Sequence, residues 1–416
     1  MTDPRLRQRL RRLGLKLARD VSPPSARPKR TPHAAVGIES LVPGEAVETK
    51  WGPFYCVEAV YPITYRHGGT VLDDYLLRSP ATAAALARDP ALAGLSLESL
   101  AFVDTETTGL AGGAGTFAFL IGVGRFTDRG YVLRQYFLRD PHEERAMLGA
   151  FAQDCNPLAG WVSFNGKAFD LPMIDSRYRM AHRRRFDLIA RPHLDLLFPA
   201  RRLYRGRLPS CSLKDIEAGV FELQREEDDV PGWLIPQLYY EYLQTGDARG
   251  MRRVMYHNAM DVLSMVTLAA HLLDVFARPA DRLHTAEDHL ALAQWHEAAG
   301  RLAEAEAAYR AAARGHLRRP DDQLKVHWRY ASILKRAGRR AEAVEHWEAL
   351  FTLAPREIAP CVELAKYYEW EAGDYANAIG WTKVALKAAA KWPAGWHKEA
   401  AVNELRRRLA RLERKG

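Results

Sequence analysis

An apolar run that closes on two acids one residue apart, LAFVDTETTGL, constrains this chain more than any other stretch. Residues 100–103 read as an extended strand. Side chains two apart in a strand share a face, so Asp104 and Glu106 point the same way. Two crowded carboxylates repel one another unless cations lie between them, which anticipates hard metal ions with oxygen ligands. Many strands end in an acidic turn, so the weight falls on two further carboxylates downstream.

The first of these is Asp170, in GWVSFNGKAFDLPMID. A short apolar run (161–164) reads as a buried strand, Asn165-Gly166 as a turn, and Asp170 opens a helical stretch. An N-cap role for Asp170 stands beside a ligand role, since Asp binds free backbone N–H groups at helix starts. The second is Asp261, in RRVMYHNAMDVLSMVTLAAHLL, where apolar residues recur at helical spacing. Asp261 follows His257 by four residues, which puts both on one helix face. A carboxylate inside an apolar helix needs a partner, either a salt bridge or an ion.

Together, DTETTGL, SFNGKAFDLPMIDSRY and YHNAMDVLSM resemble the three motifs of DEDD-type 3′–5′ exonucleases of the RNase H-like superfamily. The middle motif is nearest to the proofreading domains of family B DNA polymerases. The whole pattern is similar to the YprB-like proteins, in which an RNase H-like domain is joined to tetratricopeptide repeats. The resemblance implies a metal-dependent nuclease that trims DNA or RNA from the 3′ end. It also implies two ions, Mg²⁺ or Mn²⁺, on Asp104, Glu106, Asp170 and Asp261, one to activate water and one to stabilise the leaving 3′ oxygen. All-carboxylate coordination suits those ions, whereas zinc prefers His and Cys.

The family also places a Tyr four residues, or a His five residues, before the last Asp. Here the register is exchanged, with His257 four before Asp261 and Tyr256 five before. Four residues is close to one helical turn, and imidazole titrates near neutrality, so His257 is the expected base and Tyr256 the substitute. Thr107, Thr108, Gly109 and Leu110 resemble the turn beneath the terminal nucleotide, with Leu110 as a wedge; an ordinary strand-to-loop turn reads the same way. Asn165 matches the middle motif as a contact to the substrate backbone, while Phe169 reads as core. His193 and Asp195 end a further strand and are expected to be structural. Two alternatives stay open: an inactive nuclease fold serving as a scaffold, and an RNase H-type endonuclease. The exchanged register favours the first of them.

Composition excludes other classes. Cys56, Cys155, Cys211 and Cys361 lie far apart, which argues against a disulfide framework or a zinc site and for a reducing, cytoplasmic setting. No apolar run of membrane-spanning length is evident, and no secretory signal opens the chain. The glycines of GLAGGAGTFAF do not form a dinucleotide loop, because a strand-like rather than helical segment follows.

The formal charge of +9 is concentrated in residues 1–30, with ten Lys or Arg against Asp3 and Asp20. Leu6, Leu10, Leu13 and Leu17 fall there at helical spacing, which fits a basic amphipathic helix for nucleic acid, an anionic surface or a partner; a solvated arm or a targeting segment fits equally. A second basic cluster, Arg177 to Arg185 with Arg201, Arg202, Arg205 and Arg207, reads as a phosphate-binding face or a solvated one.

The expected organisation is a basic arm and linker (1–36), a small β-containing region (37–98), an α/β three-layer RNase H-like nuclease domain (99–278) and an all-α tetratricopeptide repeat solenoid (283–416). The repeats are read from three alignable Ala-rich segments in which Gly300, Gly338 and Gly373 recur 38 and 35 residues apart, as do Ala305, Ala343 and Ala378. Such repeats take a protein partner, or else simply extend the nuclease domain.

Overall fold

Leu100, Ala101, Phe102 and Val103 are all buried, because the strand they form lies in the interior of a sheet covered on both faces. The computed structural model describes residues 34–109, 116–225, 229–279 and 283–416. Of the basic arm and linker, residues 1–33, which include the leucine stripe, lie outside the described residues.

Among the described residues, seven strands form one mixed sheet: β1 (Glu45–Thr49), β2 (Gly52–Tyr61), β3 (Leu100–Thr107), β4 (Ala118–Thr127), β5 (Gly130–Phe137), β6 (Gly160–Ser163) and β7 (His193–Asp195). Their order is β1-β2-β5-β4-β3-β6-β7. The β-rich stretch 37–98 therefore supplies two strands to the same sheet, β2 pairing antiparallel with β5 from Tyr55 opposite Phe137 to Tyr61 opposite Tyr131. Strand β3 runs antiparallel to β4 and parallel to β6, and β6 runs parallel to β7.

Helices α1 (Pro80–Ala87), α2 (Glu144–Cys155), α3 (Asp170–His182), α4 (Leu197–Tyr204), α5 (Leu213–Val220), α6 (Ile235–Thr245) and α7 (Arg249–Ala277) complete this part. The pleat of β3 sorts its side chains between two cores. Leu100 and Phe102 join Val262 and Leu263 of α7 in one. Ala101 and Val103 join Met147 and Phe151 of α2 in the other. This mixed α/β sheet between helical layers is consistent with an RNase H-like fold.

Helix α7 spans 29 residues and is apolar enough to cross a membrane by length and composition, an apolar run not evident from the sequence. Its most apolar window is 78% buried within the protein, so it is a core helix, hydrophobic nearly all round because it is packed nearly all round.

The C-terminal region is helical: α8 (Ala286–Ala298), α9 (Leu302–Arg314), α10 (Pro320–Arg336), α11 (Arg340–Leu353), α12 (Ala359–Trp370), α13 (Tyr375–Ala390) and α14 (Trp396–Leu412). Gly300, Gly338 and Gly373 sit in the turns within successive helix pairs at φ of 74°, 76° and 67°, where a side chain would be strained. Ala305, Ala343 and Ala378 are each fully buried, small enough for neighbouring helices to approach closely. The core that contains Phe102 and Val262 continues without a break through Trp295 and Tyr309 to Leu364.

One close approach decides where the acids lie. A Cβ on Gly122 of β4 would come within 2.3 Å of Asn258 Oδ1, and Asn258 of α7 is fully buried. Gly122 is opposite Asp104 in the sheet, so its missing side chain lets α7 reach β3. We expect Gly122→Ala to overpack this crossing and cost about 1–3 kcal/mol in denaturant unfolding; an unchanged midpoint would show that Asn258 has room to move.

Candidate active site

The outer half of β3 loses its apolar residues where the sheet opens to solvent, and Asp104 and Glu106 occupy that end. The β3–β4 register slips between Glu106 and Thr107, a local bulge that ends regular pairing beside the acids. Asp170 is the first residue of α3. The capping role weighed for it is not taken up, because Phe169 holds the N-cap position without a side-chain cap; the Asp170 carboxylate accepts instead from the Thr105 hydroxyl. Asp261 and His257 come from one face of α7.

The four carboxyls share one poorly solvated space. Burial raises Asp104 well above the usual carboxylate range, and the charges of Asp261 and Asp170 raise it further. Glu106 is raised in the same way, by burial first and then by Asp104, Asp261 and Asp170. Asp170 is lifted to about 6 by burial, with the Thr105 hydrogen bond opposing the rise. Asp104 is oriented by a relay of amides: Asn258 Nδ2 donates to Asp104 Oδ2 at 2.8 Å, and Gln135 Nε2 donates to Asn258 Oδ1 at 2.8 Å.

His257 stands over this space. Its Nε2 lies 3.6 Å from Asp261 Oδ2 and 4.0 Å from Glu106 Oε1. Its Nδ1 lies 2.7 Å from Asp229 Oδ1. Of the two residues considered as base, His257 is therefore the one beside the acids; Tyr256 interacts electrostatically with Tyr61. Burial presses Asp229 upward, but its hydrogen bond to His257 and the charge of Arg225 outweigh this and keep it below the usual range.

Arg225 was not legible as a site residue. Only 4% exposed, it forks onto Glu217, with Nε at 2.7 Å and Nη2 at 2.6 Å, and also donates to Asp261. It sits in QREEDDV, an acid-rich stretch that reads as a surface loop, and no motif marks it. Asn258 was more accessible to inference, since it falls between His257 and Asp261 on a helix already singled out.

These residues fit divalent cations by donor chemistry, since hard carboxylate oxygens repel one another across a desolvated space. Among the described residues no three His, Cys, Asp or Glu side chains are drawn into a coordination shell, and Asp261 is engaged by Arg225.

A cavity of about 760 Å³ adjoins the acids, lined by Thr105, Thr107, Asn165, Phe169, Asp170 and Met180 among others. Phe169 is 61% exposed and Met180 56% exposed, so Phe169 is wall rather than core, against the expectation from its apolar type. Thr107 turns its hydroxyl to the Gly109 carbonyl at 3.0 Å, and Thr108 is buried, its hydroxyl accepting from Phe117 N. Leu110, the expected wedge, lies outside the described residues.

Asp195 accepts from the backbone N–H groups of Asn165 and Lys167, and His193 bonds Ser163 at 2.7 Å, so both brace the loop before Asp170. Asn165 there adopts a φ of 76°. The second basic cluster is partly spent internally. Arg177 pairs with Glu144, Arg179 with Asp175 and Arg207 with Asp288, and Arg202 stacks on Trp295.

Residues 101–273 match the family model of the RNase H superfamily. The uncharacterised protein YprB of Bacillus subtilis is 30% identical over 368 residues, which cover 87% of this chain and 86% of that protein. A family B DNA polymerase from the hyperthermophilic archaeon Pyrobaculum calidifontis matches 48% of this chain at 14% identity with a TM-score of 0.30; this chain spans 29% of that polymerase's length.

Asp170 sets a testable pH dependence. Its pKa in the fold is about 6 against an ordinary 3.8, so the folded protein binds this proton more tightly than the unfolded chain. The group therefore weakens the fold as pH rises through that window. In EDTA, Asp170→Asn is expected to melt with wild type below pH 3.8 and above it in Tm once pH passes 6, a gap on the order of 1–3 kcal/mol. A Tm difference that does not change with pH would contradict this.

Proposed function

Because the chain belongs to one family with YprB and carries an RNase H superfamily domain, we propose that it is a metal-dependent nuclease that hydrolyses phosphodiester bonds and trims nucleic acid from the 3′ end. The observation that carries this reading is the convergence of Asp104, Glu106, Asp170 and Asp261, from β3, α3 and α7, on one desolvated space beside an open cavity. Those four residues would hold Mg²⁺ or Mn²⁺, which when bound would neutralise charge at the reacting phosphate and ease ionisation of the attacking water.

The chain's own groups do the rest. His257 accepts the proton of the attacking water through Nε2, and Asn258 keeps Asp104 in register. Phe169 offers an exposed ring on which an unpaired base stacks, with Asn165 and Thr107 along the same wall, which favours a single-stranded end. The helix pairs from Ala286 onward act as tetratricopeptide-type repeats that take a partner protein.

An inactive scaffold has, besides the exchanged register of His257 and Tyr256, a structural observation in its favour: the Arg225 guanidinium pairs with Asp261 from within. The two readings separate in one assay, degradation of 5′-labelled single-stranded DNA and RNA with Mg²⁺ or Mn²⁺. A ladder shortening from the 3′ end, reduced about 10²-fold or more in Asp104→Ala, supports the exonuclease. Internal cuts lost in the same variant point to an endonuclease, and no metal-dependent cleavage by folded protein leaves the scaffold. If cleavage occurs, Phe169→Ala is expected to raise KM about 5- to 100-fold with kcat nearly unchanged, the worth of one stacked base; a fall in kcat alone would place Phe169 outside base binding.

A further inference from the structure

Beyond the four acids and their base, the segment after α5 delivers one more side chain to the reaction. Asp229 is 5% exposed and its carboxylate lies 2.7 Å from His257 Nδ1. We propose that Asp229 is a positioning residue for the hydrolysis, holding His257 with its proton on Nδ1 so that the bare Nε2 faces Glu106 and Asp261. This rests on the nuclease reading above.

The argument is one of donors and acceptors. A neutral imidazole carries one proton on one of two nitrogens, and its partners decide which. A carboxylate only accepts, so the nitrogen at 2.7 Å from Asp229 is the protonated one. A competitor is present. Arg225 Nη1 lies 3.3 Å from the same Nδ1, and a guanidinium only donates. Were Arg225 to win, Nδ1 would be the acceptor and the proton would sit on Nε2. That nitrogen would then donate to Asp261 or Glu106 and have no lone pair for water. The shorter contact belongs to Asp229, 2.7 Å against 3.3 Å for Arg225, whose Nε and Nη2 are committed to Glu217.

Asp229 is itself fixed from several sides. Lys214 Nζ reaches it at 3.2 Å from α5, Arg225 Nη1 lies 3.6 Å away, and the Asp229 carbonyl accepts from Arg253 of α7 at 3.3 Å. The His257–Asp229 pair is thus anchored by two helices, and the His257 side chain is 14% exposed.

The test uses the full chain and two independent readouts. Asp229→Asn keeps the shape but can donate to Nδ1 through its amide. We expect kcat to fall about 10²-fold, within the range of general-base effects, with KM and the Mn²⁺ concentration for half-activity unchanged. Asp229→Glu, which keeps an acceptor, should recover part of the loss. In parallel, ¹⁵N-histidine spectra of metal-free protein, with His257→Gln for assignment, should show the His257 proton on Nδ1 in wild type and on Nε2 in Asp229→Asn.

Wild-type turnover with an undiminished Asp229→Asn kcat would overturn the proposal, as would a wild-type His257 protonated on Nε2. If wild type cleaves nothing, the nuclease reading fails, and the Nδ1 proton alone then decides whether Asp229 positions the ring. Loss of thermal stability in Asp229→Asn together with a proportional fall in active protein, at constant kcat per folded molecule, would also overturn it by showing a purely structural role.

Discussion

The structure depends on a repulsion. Four carboxyls are pressed into one corner where water is scarce, and the charges of their neighbours make Asp104 and Glu106 costlier to ionise. Such a corner persists only because the surroundings over-determine it. The apolar half of β3 is fixed by two cores, the Asn258–Gln135 relay holds Asp104, Thr105 holds Asp170, and a buried guanidinium holds Asp261. The supports come from strand, helix and loop alike, β3 and α7 each contributing more than one. Crowding of this kind destabilises a chain that has no use for it, and a cation between the carboxyls would relieve it, which makes the corner a functional-site candidate.

The supports also explain the architecture around the site. Asp104 needs a helix close to the sheet, which needs a residue without a side chain at position 122. Asp170 needs a loop bent through a positive φ at Asn165, which needs Asp195 to satisfy the loop's N–H groups. Local geometry that looks like connection is therefore part of the chemistry.

Much of this was legible in the sequence. The buried strand of β3, the acid pair at its end and the helical spacing of His257 and Asp261 follow from residue type and order alone. The Gly300, Gly338 and Gly373 recurrence predicted turns that the φ angles bear out. What stayed hidden was the contribution of residues that meet only in three dimensions. Arg225 and Asp229 look like a solvated charged loop, because sequence carries no sign that Glu217 and His257 lie across from them. Phe169 misled in the opposite way: aromatic type suggests core, but its position at the start of α3 puts it over a cavity. Helix α7 was legible as a helix over residues 252–273 but not as one apolar enough to span a membrane, since Arg, His and Asp near its start break the apolar run.

That helix has a last consequence. It carries His257, Asn258 and Asp261 near its start. At its far end Phe276 packs on Trp295 of α8 at 5.0 Å between ring centres, with Arg301 above the same ring. At about 1.5 Å per residue, a rigid rod on the order of 30 Å long joins the acids to the helical array. The chain is consequently a poor subject for dissection. A cut near residue 280 would pass through a continuous apolar interior and strip the rod of its anchorage, so the front part and the helical array are better regarded as one piece of machinery than as a head with a detachable handle.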